Sequence, residues 1–396
     1  MKKKSIEEKI KSLLFVTHRK NNVMVRGKEM YLYDHKGKKY LDFIGGWAVN
    51  ALGHSPKVIS NTLKKQSKKL LNASPIFYNE PMLKFAKEIT QVSGLERVFF
   101  CSTGAEANES AIKLARKFGA LKKNGAYEII TMEKSFHGRT LATMSACGKE
   151  AFKELFEPKV KGFKHVKFND IEAVKNALNP NTCAIMLEPV QGEGGVNVAD
   201  IDYIKNLRKL CDETNTLLIF DEIQTGFGRC GTLFAYEYFG ILPDIVSLGK
   251  GIGGGFPLAA MLAKEELNLF EAGEQGGTYT AQPLGMAVGR AVLKKLIKDK
   301  IPSHAKKMGE YIKLKLKSLM KDYPIQNIRG LGLLIAFEIK NIDSKELVEK
   351  AFDNALILNS PQPSIIRLMP PLNLKKKHIE LMISRLTRSI KTVLKK

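Results

Sequence analysis

Lys250 stands in Ser-Leu-Gly-Lys-Gly-Ile-Gly-Gly-Gly, directly after the apolar run Ile245–Leu248. A lysine among glycines is poorly placed for surface solvation, and the glycines let backbone and ligand approach closely. A partly desolvated lysine has a lowered pKa and can serve as an imine-forming nucleophile. Residues 249–254 also match Gly-x-Gly-x-x-Gly. A dinucleotide fingerprint belongs to the first βα unit, with an acidic residue about 20 positions on. This one lies late in the chain and no strand ends near Glu271 or Glu274, so dinucleotide binding is set aside.

Three further stretches carry groups of similar promise. Asp221 follows the apolar run Leu217–Phe220. A carboxylate at the C-terminal end of a parallel strand sits where open α/β sheets bind ligands, and it can hold a proton on a ring nitrogen. A helix N-cap or a metal carboxylate suits the same position. Ser102-Thr103-Gly104-Ala105 follows a strand and opens a helix. Its free N–H groups, the helix dipole and two hydroxyls make an anion site, although a simple Ser/Thr cap has the same composition. Arg139 and Arg367 are two of only 12 arginines, each in or after a strand pattern. Their forks match carboxylates, as they also match structural ion pairs. Phe136 beside them can stack on a ring or fill the core, and the neighbouring His137 is an acid/base group or a bystander.

Together these parts give an anion cup, a stacking ring, a strand-end Asp and a Gly-flanked Lys, in chain order. They describe a site for pyridoxal 5′-phosphate, in which the lysine holds the cofactor and the aspartate keeps its ring nitrogen protonated. No Cys/His spacing for a metal occurs.

The elements that must position these groups follow from the periodicity. Helical spacing covers Val58–Leu71, Ala105–Phe118, Asp202–Glu213, Pro283–Lys298 and Ser303–Lys321. Strands are expected at Arg97–Cys101, Glu128–Met132, Thr182–Leu187, Leu217–Phe220, Ile245–Leu248 and Leu258–Ala263. Alternating strands and helices imply a doubly wound, mostly parallel sheet. Short strands at Val23–Val25, Met30–Asp34 and Lys39–Phe43 precede it, behind a polar amphipathic helix. Strand Leu333–Ile339, helix Ser344–Asn354, strand Ile365–Met369 and helix Lys377–Val393 follow it as a smaller α/β unit. The expected division is an N-terminal segment of the small domain at 1–54, a large cofactor-binding domain at 55–285 and a C-terminal small domain at 286–396.

The composition, 44% hydrophobic and 26% charged over 396 residues, is that of a globular chain. Its net charge of +24 raises nucleic acid or an anionic membrane as partners. However, 52 of the 64 basic residues are lysines, scattered in small clusters such as Lys2–Lys4, Lys36–Lys39, Lys64–Lys69 and Lys375–Lys377. With no aromatic-interleaved basic stripe, a solvated lysine-rich surface is the better reading, and no nucleic-acid partner is expected. No run is long and apolar enough for a membrane span or a signal peptide. Five cysteines without a framework point to reduced thiols and the cytoplasm.

The sequence resembles the class III (ω-amino-acid type) aminotransferases of the fold type I pyridoxal-phosphate enzymes, from Tyr31 to about Leu374. The resemblance is carried by Ala-Val-Asn-Ala-Leu-Gly-His at 48–54, Ser-Thr-Gly-Ala-Glu-Ala-Asn-Glu at 102–109 and Phe-His-Gly-Arg-Thr-Leu at 136–141. Three more stretches are Glu-Pro-Val-Gln-Gly-Glu-Gly-Gly at 188–195, Phe-Asp-Glu-Ile-Gln-Thr-Gly-Phe-Gly-Arg at 220–229 and Leu-Gly-Lys-Gly at 248–251.

The resemblance implies a homodimer with shared active sites, and assigns roles. Gly104 and Ala105 would give N–H groups to the cofactor phosphate beside Ser102 and Thr103. Phe136 and Ile223 would cover the two ring faces, Asp221 would pair with the ring nitrogen, and Gln224 would approach the ring hydroxyl. Lys250 would carry the cofactor and shuttle the proton. Thr278 would reach the phosphate of the neighbouring subunit. Arg139 would hold the carboxylate of the donor, Arg367 the α-carboxylate of glutamate or 2-oxoglutarate, and Glu193 would mask Arg367 when an ω-amine binds. The implied reaction moves the δ-amino group of N2-acetylornithine to 2-oxoglutarate, in arginine biosynthesis. Ornithine, succinylornithine, succinyldiaminopimelate, 4-aminobutyrate or a lysine-type amine are the other donors of this class. Two departures stand out. Thr280-Ala281-Gln282-Pro283 replaces the usual Gly-Gly-Asn-Pro, and Trp47 stands where a small apolar residue is usual, reshaping the pocket for the distal end of the substrate.

Overall fold

A computed structural model describes residues 3–395. Lys2 of the Lys2–Lys4 cluster therefore lies outside the described residues, and the first helix runs Lys3–Ile10.

At the centre is a seven-stranded sheet in the order Arg97–Cys101, Ala259–Ala263, Ile245–Leu248, Leu217–Asp221, Thr182–Leu187, Glu128–Met132, Phe163–Val166. All are parallel except Ala259–Ala263, which runs antiparallel to both neighbours. The inner strands Thr182–Leu187, Leu217–Asp221 and Ile245–Leu248 are buried along their whole length. This explains their unbroken apolar sequence, since helices cover both faces of such a sheet. Helix Gly104–Lys122 packs on one face through Ala107, Ala111, Leu114, Ala115 and Phe118. Gly119 is required there, because a Cβ would fall 1.7 Å from the Ala126 carbonyl oxygen.

The two ends of the chain meet in a second sheet. Strands Met24–Lys28, Tyr31–Asp34 and Lys39–Asp42 form an antiparallel meander, and Leu356–Ile357 adds to it in parallel. A third sheet joins Ile325–Leu331, Leu334–Ile339 and Ile365–Leu368. Helices Ile301–Leu319, Ser344–Asp353 and Lys376–Leu394 accompany these strands.

Several elements differ from the sequence expectation. The helix expected over Val58–Leu71 spans Lys57–Gln66. Its apolar spacing has no continuation through Lys64–Lys69, so the last turns have no face to bury. Helix Glu80–Ser93 was not foreseen, although Asn79 caps its start and Gly94, at φ 71°, ends it in the left-handed region. The edge strand Phe163–Val166 and the strand Ile325–Leu331 also escaped, because both are only partly buried and lack a clean apolar pattern. Among the described residues, no helix is long and apolar enough to cross a membrane, and no group of side chains could hold a metal ion.

Candidate active site

Four strand ends converge on one edge of the central sheet. Arg97–Cys101 leads to Ser102–Ala105, Glu128–Met132 to Phe136–Arg139, Leu217–Asp221 ends on the aspartate, and Ile245–Leu248 leads to Lys250. They enclose a cavity of about 280 Å³. Gly104, Ala105, Phe136, Arg139, Glu193, Asp221, Ile223, Gln224 and Lys250 all line it, as the sequence reading required. His137, Glu188 and Val190 line it as well.

Asp221 is 3% exposed. Its Oδ2 accepts from Asn108 Nδ2 at 2.7 Å and pairs with His137 Nδ1 at 2.8 Å, and its Oδ1 accepts from the Ile223 N–H at 3.0 Å. A carboxylate accepts only, so His137 carries its proton on Nδ1. Asn108 also donates to the His137 carbonyl at 2.7 Å. The loop is thus clamped to the helix, and the carboxylate keeps acceptor capacity toward the cavity.

The Lys250 backbone lies in the left-handed region at φ 45°. Burial lowers the pKa of its amine, against the opposing pull of Asp221 and Glu188. Burial also pushes the Glu188 carboxyl up to about 7. Glu188 accepts from the Phe136 N–H at 3.0 Å and the Gly192 N–H at 3.2 Å, tying two cavity walls together.

The start of helix Gly104–Lys122 divides its free donors. Thr103 is the N-cap in a capping box with Glu106. The Glu106 carboxylate accepts from the Ser102 and Thr103 N–H groups at 2.9 and 2.8 Å. Gly104 and Ala105 keep N–H groups with no acceptor among the described residues, at the positive end of a 19-residue helix. The sequence left a simple cap and an anion site open for this stretch, and the structure shows the capping. Thr103 is a cap, Ser102 and Thr103 do not line the cavity, and the anion cup reduces to two backbone groups.

At the other end, Arg367 is 0% exposed. Its Nη2 donates to Glu193 Oε1 at 2.6 Å and its Nε to Asn359 Oδ1 at 2.9 Å. Gln224 Oε1 accepts from Arg367 Nη1 at 3.4 Å. Arg139 is exposed and rests its guanidinium over Phe136 and Phe152, 5.9 and 5.6 Å from the ring centroids.

Three more expected residues do not line the cavity, and the first, Arg367, is buried behind Glu193 and Gln224. Thr278 is exposed on a loop outside the cavity. Trp47 is 53% exposed and does not line it either. Gly45, Gly46, Trp47 and Ala48 have φ values of 59°, 63°, 60° and 65°, a left-handed turn that projects the indole outward.

The family description Aminotransferase class-III matches residues 15–390. The chain belongs to the class III aminotransferases. It is 46% identical over 390 residues to acetylornithine aminotransferase 2 of Bordetella pertussis, covering 98% of each chain. It is similar to the solved ornithine aminotransferase of Toxoplasma gondii, with TM-score 0.95, 30% identity and 100% and 96% of the two chains covered. The acetylornithine aminotransferase of Elizabethkingia anophelis gives TM-score 0.87 at 32% identity, over 98% of each chain.

The enzyme's cofactor is pyridoxal 5′-phosphate, and the cavity fits it. The unpaired N–H groups of Gly104 and Ala105 suit a phosphate, the buried Asp221 carboxylate suits a protonated ring nitrogen, and the buried amine suits a carbonyl carbon. Ile223 packs against this cup so closely that a Cβ on Gly104 would meet its Cδ1 at 2.8 Å. Sequence reasoning passed over Asn108, Glu188 and Asn359. The first two lie inside the quoted motifs, but nothing in their types announces a positioning role.

Proposed function

We propose that this class III aminotransferase takes the δ-amino group of N2-acetylornithine and passes it to 2-oxoglutarate, in a cytoplasmic arginine-biosynthetic step. The observation that carries the reading is the buried Arg367 fork held behind the cavity wall by Glu193, which lines the cavity together with an exposed Arg139. A terminal amine and an α-amino acid must use one site in turn. With Glu193 on Arg367, the cavity presents one cation, Arg139, to the donor's carboxylate. With Glu193 displaced, Arg367 receives the α-carboxylate of the keto acid. The names of the relatives support the acyl donor, and the five buried free cysteines suit a reducing compartment.

The bound cofactor supplies an electron-withdrawing protonated ring. Asp221 keeps that ring protonated, and His137 and Asn108 hold Asp221 in place. Gly104 and Ala105 fix the phosphate, while Phe136 and Ile223 bracket the ring. Lys250, its basicity lowered by burial, moves the proton from the substrate carbon that bears the amine. Spectra of the first half-reaction with a panel of ω-amines test the donor. Acetylornithine should convert the enzyme faster than ornithine or 4-aminobutyrate, and a preference for ornithine rejects the acyl assignment.

A homodimer with shared sites completes the proposal. Ile76, Phe77, Tyr78 and Tyr279 are 62–83% exposed. They form one apolar face, because Asn79 Nδ2 donates to the Ala281 carbonyl at 3.0 Å and ties the two segments together. Thr278 stands at that face, where it can reach a second copy's phosphate. Mixed subunits check this. Dimers of Lys250→Ala and Thr278→Ala chains should regain one intact site, so activity should exceed that of either parent. Failure of the mixture to recover activity removes the shared site.

A further inference from the structure

We propose that Lys149 is a second dock for the Glu193 carboxylate, holding it when it leaves Arg367. The inference rests on the masking role of Glu193 proposed above and adds the residue that makes the displaced state accessible.

The geometry places Glu193 between two cations. Its Oε1 accepts from Arg367 Nη2 at 2.6 Å, and its other oxygen, Oε2, lies 3.9 Å from Lys149 Nζ. The Arg367 side chain is fully buried, whereas those of Lys149 and Glu193 are 27% and 22% exposed. The carboxylate thus already spans a buried fork on one oxygen and a partly exposed cation on the other. Burial opposes charge on Glu193, yet the Arg367 guanidinium outweighs it, with Lys149 adding in the same direction, so the carboxyl titrates below its ordinary range. Glu193 thus moves as an anion, and an anion needs a counter-charge at both ends of its path.

The backbone around Glu193 is held in place. Glu193 sits in Gly192-Glu193-Gly194-Gly195, with Gly195 at φ 110°, a conformation that a side chain would strain. Gln362 Nε2 holds the Glu193 carbonyl at 3.1 Å, so the backbone stays anchored while the side chain turns. Lys149 is held over the Phe152 ring, 5.4 Å from its centroid, beside Arg139 on the same ring. Lys250 also favours the Glu193 carboxylate and Arg139 lines the same cavity, but among the described residues neither lies within ion-pair distance of it.

Stopped-flow half-reactions of the cofactor-loaded enzyme test this, with the N2-acetylornithine half-reaction and the 2-oxoglutarate half-reaction measured separately. Lys149→Met should raise the ratio of donor efficiency to keto-acid efficiency about two- to fivefold, the range for a partly exposed ion pair. The effect should lie in apparent substrate affinity and not in the limiting rate, and Lys149→Arg should restore the ratio. In a Glu193→Ala background, Lys149→Met should leave the ratio where Glu193→Ala put it. Equal losses in both half-reactions, or a loss confined to the donor, would mean that Lys149 serves the fold or binds substrate itself, and would overturn the proposal. If Glu193→Ala does not shift the ratio, the masking reading fails, and the dock with it. If Glu193→Ala shifts the ratio and Lys149→Met does not, only the dock fails.

Discussion

Lys250→Ala is expected to lower turnover by at least about 10⁴-fold, the upper range for a positioned acid–base group, while the cofactor still binds. Two physical facts make this the largest single effect. The amine lines the cavity, and desolvation lowers its basicity below that of an ordinary lysine. No other amine lines the cavity to replace it. Retention of the cofactor is expected because, on the proposed assignment, Gly104, Ala105, Asp221, Phe136 and Ile223 would hold its phosphate, ring nitrogen and ring faces without the lysine. The measurements are turnover, and the mass of the protein after borohydride reduction with cofactor present. Wild-type protein should gain a covalently fixed cofactor and the variant should not. A variant that kept turnover, or fixed the cofactor through another residue, would displace Lys250 from its role.

Asp221→Asn is expected to cost about 10²–10³-fold in turnover, the scale of removing one electrostatic anchor from a preorganised site. The amide keeps the size of the side chain but loses the negative charge that keeps the ring nitrogen protonated. It also presents an N–H where Asn108 or His137 already donates, so at least one hydrogen bond is lost. His137→Ala should produce a smaller loss of the same kind, since it frees the carboxylate without removing it. The double variant should be little worse than Asp221→Asn alone, because the histidine acts only through the aspartate. Near-wild-type turnover of Asp221→Asn would remove the ring-nitrogen assignment. Full additivity would give His137 a separate role.

Much of this site was legible because its parts sit at strand ends. Lys250 and Asp221 each interrupt an apolar run with a charged group, a pattern that core packing alone does not require. The glycines around Lys250 and Glu193 mark close approach in the same way. The parts that were not legible act through other residues. Glu188 is a carboxylate next to a proline, yet in the fold its two oxygens hold the Phe136 and Gly192 backbones together. Asn108 lies one turn into a helix and shows no sign in sequence of facing Asp221, 113 positions away. Thr103 looked like a phosphate ligand because capping and anion binding use the same residues. The side chain of Glu106 decided between them.

The large positive charge belongs to the same division. Sequence alone shows that lysines carry most of it and that they are scattered. The structure shows where the cations near the cavity sit: Lys250 on its lining, Arg367 buried behind it, and Arg139 and Lys149 over one phenylalanine ring. Residue type and spacing determined the sheet, the family and the reacting groups, because apolar periodicity and the order of strand ends are local properties of the chain. Tertiary structure alone decided which carboxylate meets which cation. Those encounters join segments far apart in the chain, Glu193 with Arg367 across 174 positions, and depend on where the fold buries each group.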